Sequence, residues 1–176
     1  QQAPPIPQRF VTTEGRVLFT AGDIHDGQNV WQSMGGQEVG SIWGHGAYVA
    51  PDWSADWLHR EATAILDHWA RAEQGKPLDQ LDSSMQAGLR ARLADEIRRN
   101  TYNAQTGDLV VSAVRAQAIA QVGDHYNRLF GDDPSLNDLR KAYAIPANSV
   151  PDPQRRAKMN AFFFWTAWSC GTNRPG

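Results

Sequence analysis

The sequence predicts a single, mainly α domain with a small β-hairpin near its N-terminus. Three observations carry that assignment. The 176 residues fit one domain, and a domain of that size builds a core without disulfide or metal staples. Long stretches repeat apolar residues at three- and four-residue spacing, the helical period. Strand-like runs are short: two before residue 21 and a third at Leu109-Val110-Val111.

Residues 1–8 are rich in Pro and Gln and are expected to be a disordered lead-in to one domain over 9–176. Arg9-Phe10-Val11-Thr12 and Arg16-Val17-Leu18-Phe19-Thr20 flank Glu14-Gly15, which reads as a hairpin. A short helix over Asp23 to Met34 carries Ile24, Val30, Trp31 and Met34. The loop from Gly35 to Pro51 holds five glycines, too many for a regular element. The first long helix, Ser54 to Glu73, is striped by Leu58, Ala62, Ile65, Leu66 and Trp69 and is stopped by Gly75 and Pro77. The second, Ser83 to Asn100, carries Met85, Leu89, Leu93 and Ile97. A turn at 105–108 precedes the apolar run at 109–111. The third, Ala113 to Phe130, is striped by Val114, Ala118, Val122, Tyr126 and Phe130. A shorter helix over Ser135 to Tyr143 leads to a Pro146–Pro151 linker. The last helix starts with Asp152 as cap and Pro153 in its first turn.

That last helix breaks the amphipathic pattern: Met159 and Phe162 suit a core face, but Phe163, Phe164, Trp165 and Trp168 point to all sides. A helix apolar all round is either enclosed by its own domain or meets another apolar surface. Charge adds to the second reading. Residues 1–88 hold 5 basic and 11 acidic side chains, and residues 89–176 hold 12 and 8. A basic, aromatic C-terminal end suggests contact with something outside the domain.

Composition excludes several classes. The formal charge of −2 argues against a nucleic-acid binder, which carries a basic excess. A lone cysteine, Cys170, rules out a disulfide framework, zinc ribbons, thioredoxin-like pairs and covalent c-type haem attachment. It follows an apolar run and reads as an inert thiol. The longest apolar block, Ala161 to Trp168, is eight residues against about 20 for a membrane span. The chain begins Gln1-Gln2 without methionine and reads as a processed or truncated piece of something longer.

The histidines make a poor metal site. His59 and His68 lie nine residues apart on one helix, about 900° of rotation, so they face opposite ways. His59 also lacks the His-Glu-x-x-His pattern, and His25 and His125 are isolated. His45, between Gly44 and Gly46 and close to Asp52 and Asp56, is the one candidate general base. A hydrolase or metal enzyme built on His45, Asp52 and Asp56 is therefore one alternative, although a loop-ordering His45 is the simpler reading. The glycine loop lacks the lysine of a phosphate-binding loop. Trp31, Trp43, Trp53, Trp57 and Trp69 crowd into 39 residues and suggest a tryptophan-rich core around the glycine loop.

One block carries more than composition. Residues 27–53, GQNVWQSMGGQEVGSIWGHGAYVAPDW, continue through SADWLHRE at 54–61, and NAFFFWTAW follows at 160–168. These stretches closely resemble the N-terminal extracytoplasmic region of single-chain, quinol-dependent nitric oxide reductases, strongly over about 10–75 and 153–176. The glycine loop is also similar to the small cytochrome c subunit of the two-subunit enzymes, where a Cys-x-x-Cys-His haem attachment precedes the matching turn. Aligned on that turn, the two cysteines fall at Gly36 and Val39 and the axial histidine at Gly40.

The resemblance thus implies a cytochrome c-like scaffold without haem. A void of haem size would be severely destabilising, so Trp31, Met34, Trp43, Tyr48 and Trp57 are expected to fill it. It further implies that the whole enzyme joins two nitric oxide molecules, two electrons and two protons into nitrous oxide and water. Quinol supplies the electrons, and haem b and non-haem iron sit in a membrane bundle that this chain lacks. This domain would then hold no catalytic residue, cofactor or metal. It would sit on the periplasmic side of the inner membrane and dock on its own transmembrane part through Arg155, Arg156, Phe163, Trp165 and Trp168. A helical adaptor of an unrelated assembly and a non-covalent haem binder using His45 or a methionine are the remaining alternatives.

Overall fold

The computed structural model describes residues 4–36, 39–43 and 50–173. The mainly α class holds. Strands β1 (Arg9–Thr12) and β2 (Val17–Thr20) form the expected antiparallel hairpin. Helices α1 (Ala21–Ser33), α2 (Trp53–Gln74) and α3 (Ser83–Arg98) follow. Strands β3 (Tyr102–Asn103) and β4 (Asp108–Val111) lie between α3 and α4 (Ala113–Leu129), and α5 (Asn137–Tyr143) and α6 (Pro153–Gly171) close the chain.

The sheet is larger than the hairpin. Its order is β2-β1-β4-β3, with β4 parallel to β1 and Phe10 opposite Leu109. Leu109 and Val111 point into the core and Val110 points out, the period-two alternation of a half-buried strand. The partner of β4 lies about a hundred residues upstream, beyond the reach of local pattern.

Side-chain chemistry sets the helix starts. Thr20 and Asp23 form a capping box, each side chain accepting the other's backbone N–H, so α1 begins at Ala21 rather than Asp23. Asp52, Asp82, Ser112 and Asp152 cap α2, α3, α4 and α6, each side chain accepting a backbone N–H of the first turn. Gly75, left-handed at φ 69°, ends α2.

The core is built around α6. Every residue from Met159 to Ser169 is buried, with α1, α2 and α4 around it and Phe10 of β1 against Phe164 and Trp168. The all-apolar helix is therefore explained by enclosure within its own domain. α1 crosses it at Gly27, where a Cβ would stand 1.9 Å from the Lys158 carbonyl oxygen, so only glycine lets the two backbones approach. A second, smaller cluster of Ile65, Trp69, Ile97 and Ala118 joins α3 to α2 and α4.

The expected disordered lead-in does not describe residues 4–8. Pro7 is buried, Gln8 N–H donates to the Gly107 carbonyl at 2.7 Å, and Trp165 Nε1–H donates to the Pro5 carbonyl at 3.1 Å. Apolar Ile6 also rests on the core, which offsets the entropy of ordering the segment. Among the described residues, no helix is long and apolar enough to cross a membrane.

Candidate functional site

The segment 39–43 and the N-terminus of α2 meet in a tight backbone clasp. Ser41 N–H donates to the Pro51 carbonyl at 3.1 Å, and Trp53 N–H donates to the Ser41 carbonyl at 2.7 Å. Trp43 N–H donates to Ser54 Oγ at 3.1 Å. Asp52 accepts from the N–H groups of Ser54 and Ala55, which fixes the first turn of α2 and aims Trp53 inward.

Trp53 is fully buried, at 0% exposure. Its ring stacks on Phe163 at 5.7 Å, and Tyr126, Phe130 and Tyr143 meet it at steep angles. One turn on, Trp57 stacks on Tyr126 at 5.3 Å and donates its Nε1–H to Glu61 at 3.1 Å. Glu61, itself at 0% exposure, is held by Arg115 Nε at 2.6 Å. Tyr126 donates its hydroxyl to Asp56, which also accepts from Arg60 Nε at 3.0 Å. Burial, followed by the Asp56 charge and the hydrogen bond to it, pushes the Tyr126 hydroxyl well above its ordinary range. Tyr126 is therefore a neutral donor at any physiological pH.

Of the matched haem-attachment positions, Gly40 lies against this cluster. Gly40 is buried, and a Cβ there would stand 2.0 Å from Trp53 Nε1. Gly36 sits at φ +55°, a backbone state that glycine adopts freely. Val39 is half-buried against the core. Covalent haem needs two thiols and an axial imidazole. Gly36, Val39 and Gly40 supply none of these, and the Trp53 indole occupies the space that a side chain at 40 would need. The residues present do not fit a c-type haem.

Of the expected fillers, Trp31 is buried and lies 5.8 Å from Phe162, Trp57 is enclosed, and Met34 is half-buried against the core. Trp43 departs from the expectation: it is 40% exposed, because its indole lies edge-on to Trp165 and donates to the Thr166 carbonyl at 3.1 Å from outside. Tyr48 and His45 lie outside the described residues. Trp53, which the resemblance did not single out, is the side chain that packs on Gly40 and stands at the centre of the aromatic cluster. Its signal was in the sequence: Asp52 as cap puts Trp53 at the first helical position, one turn before Trp57 on the same face. The buried Glu61–Arg115 pair had no such signal.

The expected docking residues need correction. Phe163, Trp165 and Trp168 are buried inside the domain, because α6 is its central helix, so they offer no outer surface. Arg155 is exposed and donates to Ser33 Oγ at 3.1 Å. Arg156 is half-buried and donates to the Val150 carbonyl at 2.9 Å, which ties down the linker before α6. The hydrolase alternative gains no support: Asp52 caps a helix and Asp56 holds Tyr126 and Arg60. Among the described residues, no three potential metal ligands cluster. His25, His59 and His68 are exposed, while His125 is half-buried beside Tyr126, with burial first and then the Arg60 charge holding its pKa below the ordinary value.

A comparison with curated proteins gives no match. The family model of the NorB cytochrome c-like domain of nitric oxide reductase matches residues 7–176. That match spans the sheet and the six helices described above, and the chain belongs to the NorB cytochrome c-like domain family of nitric oxide reductase.

Proposed function

We propose that this domain serves nitric oxide reductase as a haem-free structural part. It carries no electrons and no catalytic group. It docks on and caps the periplasmic face of the membrane-embedded bundle, where quinol delivers electrons to haem b and non-haem iron. The observation that carries this reading is the fit of Trp53 against Gly40: the position matched to an axial histidine has no side chain, and an indole lies within 2.0 Å of where one would begin.

The aromatic filling gives the role a physical basis. A haem lost without replacement would leave a large apolar cavity, and residual cavities cost roughly 24 cal/mol per Å³. Trp53, Trp57, Tyr126, Phe130 and Phe163 form a continuous stacked and edge-to-face cluster instead. Such a domain keeps a rigid shape, which a cap requires, without a redox centre. Docking must use groups outside the core. Exposed Trp43, with an apolar ring and its N–H already bonded, is the aromatic best suited to lie against the bundle.

The test is made on the intact, membrane-inserted enzyme. Alkaline pyridine haemochrome spectra are expected to show b-type haem only, and a c-type signal would contradict the haem-free reading. A photo-crosslinker at position 43 is expected to link the domain to the membrane bundle. Absence of that link in an enzyme of normal activity would remove the docking role.

A further inference from the structure

Beyond filling space, the aromatic cluster has a chemistry of its own. Trp57 and Tyr126 stack almost parallel, their ring centres 5.3 Å apart and their planes at 9°. Each gives its one polar hydrogen to a carboxylate: Trp57 Nε1–H donates to Glu61 at 3.1 Å, and the Tyr126 hydroxyl donates to Asp56. Trp53 meets Tyr126 at 6.0 Å and Tyr143 at 5.9 Å. Trp53, Trp57 and Tyr126 are fully buried, whereas Tyr143 is only half-buried. Oxidisable rings thus run in contact from the surface at Tyr143 to a buried phenol at Tyr126.

Where an electron hole would settle among these rings follows from where a proton can go. A ring that loses an electron and keeps its proton is a cation, which is costly in an apolar core. Trp53 is in that position, because its Nε1–H has no hydrogen-bond partner among the described residues. Trp57 has Glu61, but protonating Glu61 would leave Arg115, 6% exposed, as an unpaired buried charge. Tyr126 is better placed. Its proton can pass along an existing hydrogen bond to Asp56, which also faces Arg60 at 3.0 Å. The positive charge left over then rests on Arg60, whose side chain is 32% exposed to water.

We infer that this line of rings is a sink for one-electron oxidants, which draw an electron through Tyr143 and Trp53 and leave the radical on Tyr126. The oxidant is of the nitrogen dioxide class, which forms when nitric oxide, the substrate of this family's enzyme, meets oxygen. Nitrogen dioxide gains one electron and becomes nitrite. Tyr126 loses one electron, and its hydroxyl proton passes to Asp56, which leaves a neutral phenoxyl radical. A one-electron reductant of the ascorbate class returns the electron through the same rings, and Asp56 returns the proton. The electrons that quinol delivers take no part in this step, so the inference does not rest on the haem-free reading.

The 176-residue chain encloses its own core helix, so it can be tested by itself. Nitrogen dioxide is made from nitrite by pulse radiolysis, and the chain is freeze-quenched for electron paramagnetic resonance. A long-lived neutral tyrosyl signal is expected, narrowed when the tyrosines are ring-deuterated. Tyr126→Phe is expected to abolish that signal while keeping the stacked ring. Asp56→Asn, which still accepts the hydrogen bond but takes no proton, is expected to cut its yield about tenfold or more. Tyr143→Phe is expected to slow its formation. A solvent deuterium isotope effect in the unmodified chain reports the proton transfer independently, should Asp56→Asn loosen the fold. No long-lived tyrosyl signal, a signal that survives Y126F, formation as fast in Y143F, or a rate indifferent to deuterium would each overturn the proposal.

Discussion

At the scale of single residues, the Gly40–Trp53 contact decides what the position matched to the axial histidine can accept. Restoring the imidazole alone would not restore a ligand site, because its Cβ would overlap the indole at 2.0 Å from Nε1. Gly40→His is expected to destabilise the chain by about 1–3 kcal/mol, read from urea denaturation, with no gain in haem affinity. A second residue-scale consequence concerns pH. Burial and the Arg60 charge lower the pKa of His125 below its ordinary 6.5. The folded state therefore binds its proton less readily than the unfolded chain does. Stability is full above the unfolded value and falls as pH drops through it towards the lower folded one. Denaturation midpoints at pH 7 and pH 5 are expected to differ, and His125→Gln is expected to shrink that difference.

Among elements, α2 and α4 are tied by a buried charge pair rather than by apolar packing alone. Glu61 accepts from Trp57 and Arg115, and both charged side chains are almost wholly enclosed. Breaking such a pair from one side leaves an unpaired buried charge, so Glu61→Gln is expected to cost about 3–5 kcal/mol. Replacing both Glu61 and Arg115 with methionine is expected to recover most of that loss, measured in the same urea series. The elements themselves were largely legible from sequence. The Asp152 cap, the Gly75 stop and the apolar stripes each act within a turn or two of where they are read. What local pattern could not reach was the parallel pairing of β1 with β4 and the Glu61–Arg115 bond, both set by distant chain. The ordering of residues 4–8 escaped for the same reason, since its cause is Trp165 and Gly107.

For the whole molecule, the same distinction explains the fate of the C-terminal helix. Its all-round apolar surface allowed two readings, a partner outside or enclosure within, and sequence alone could not choose between them. The fold chooses enclosure: α6 is the axis about which α1, α2 and α4 pack, with Phe10 of β1 against Phe164 and Trp168. Basic Arg155, Arg156 and Lys158 then serve its first turns, with Lys158 paired to Asp23 at 3.0 Å, rather than forming one patch with the aromatics. The site was half legible. That Gly36, Val39 and Gly40 carry neither thiol nor imidazole is plain in the sequence, whereas the packing of Trp53 on Gly40 needed the geometry. The central claim is that this scaffold's own aromatics occupy the haem position. Titration of the 176-residue chain with haemin, followed in the Soret region, tests it most directly. The account predicts only the spectrum of free haemin at every ratio; a shifted Soret band saturating at one haem per chain would contradict it.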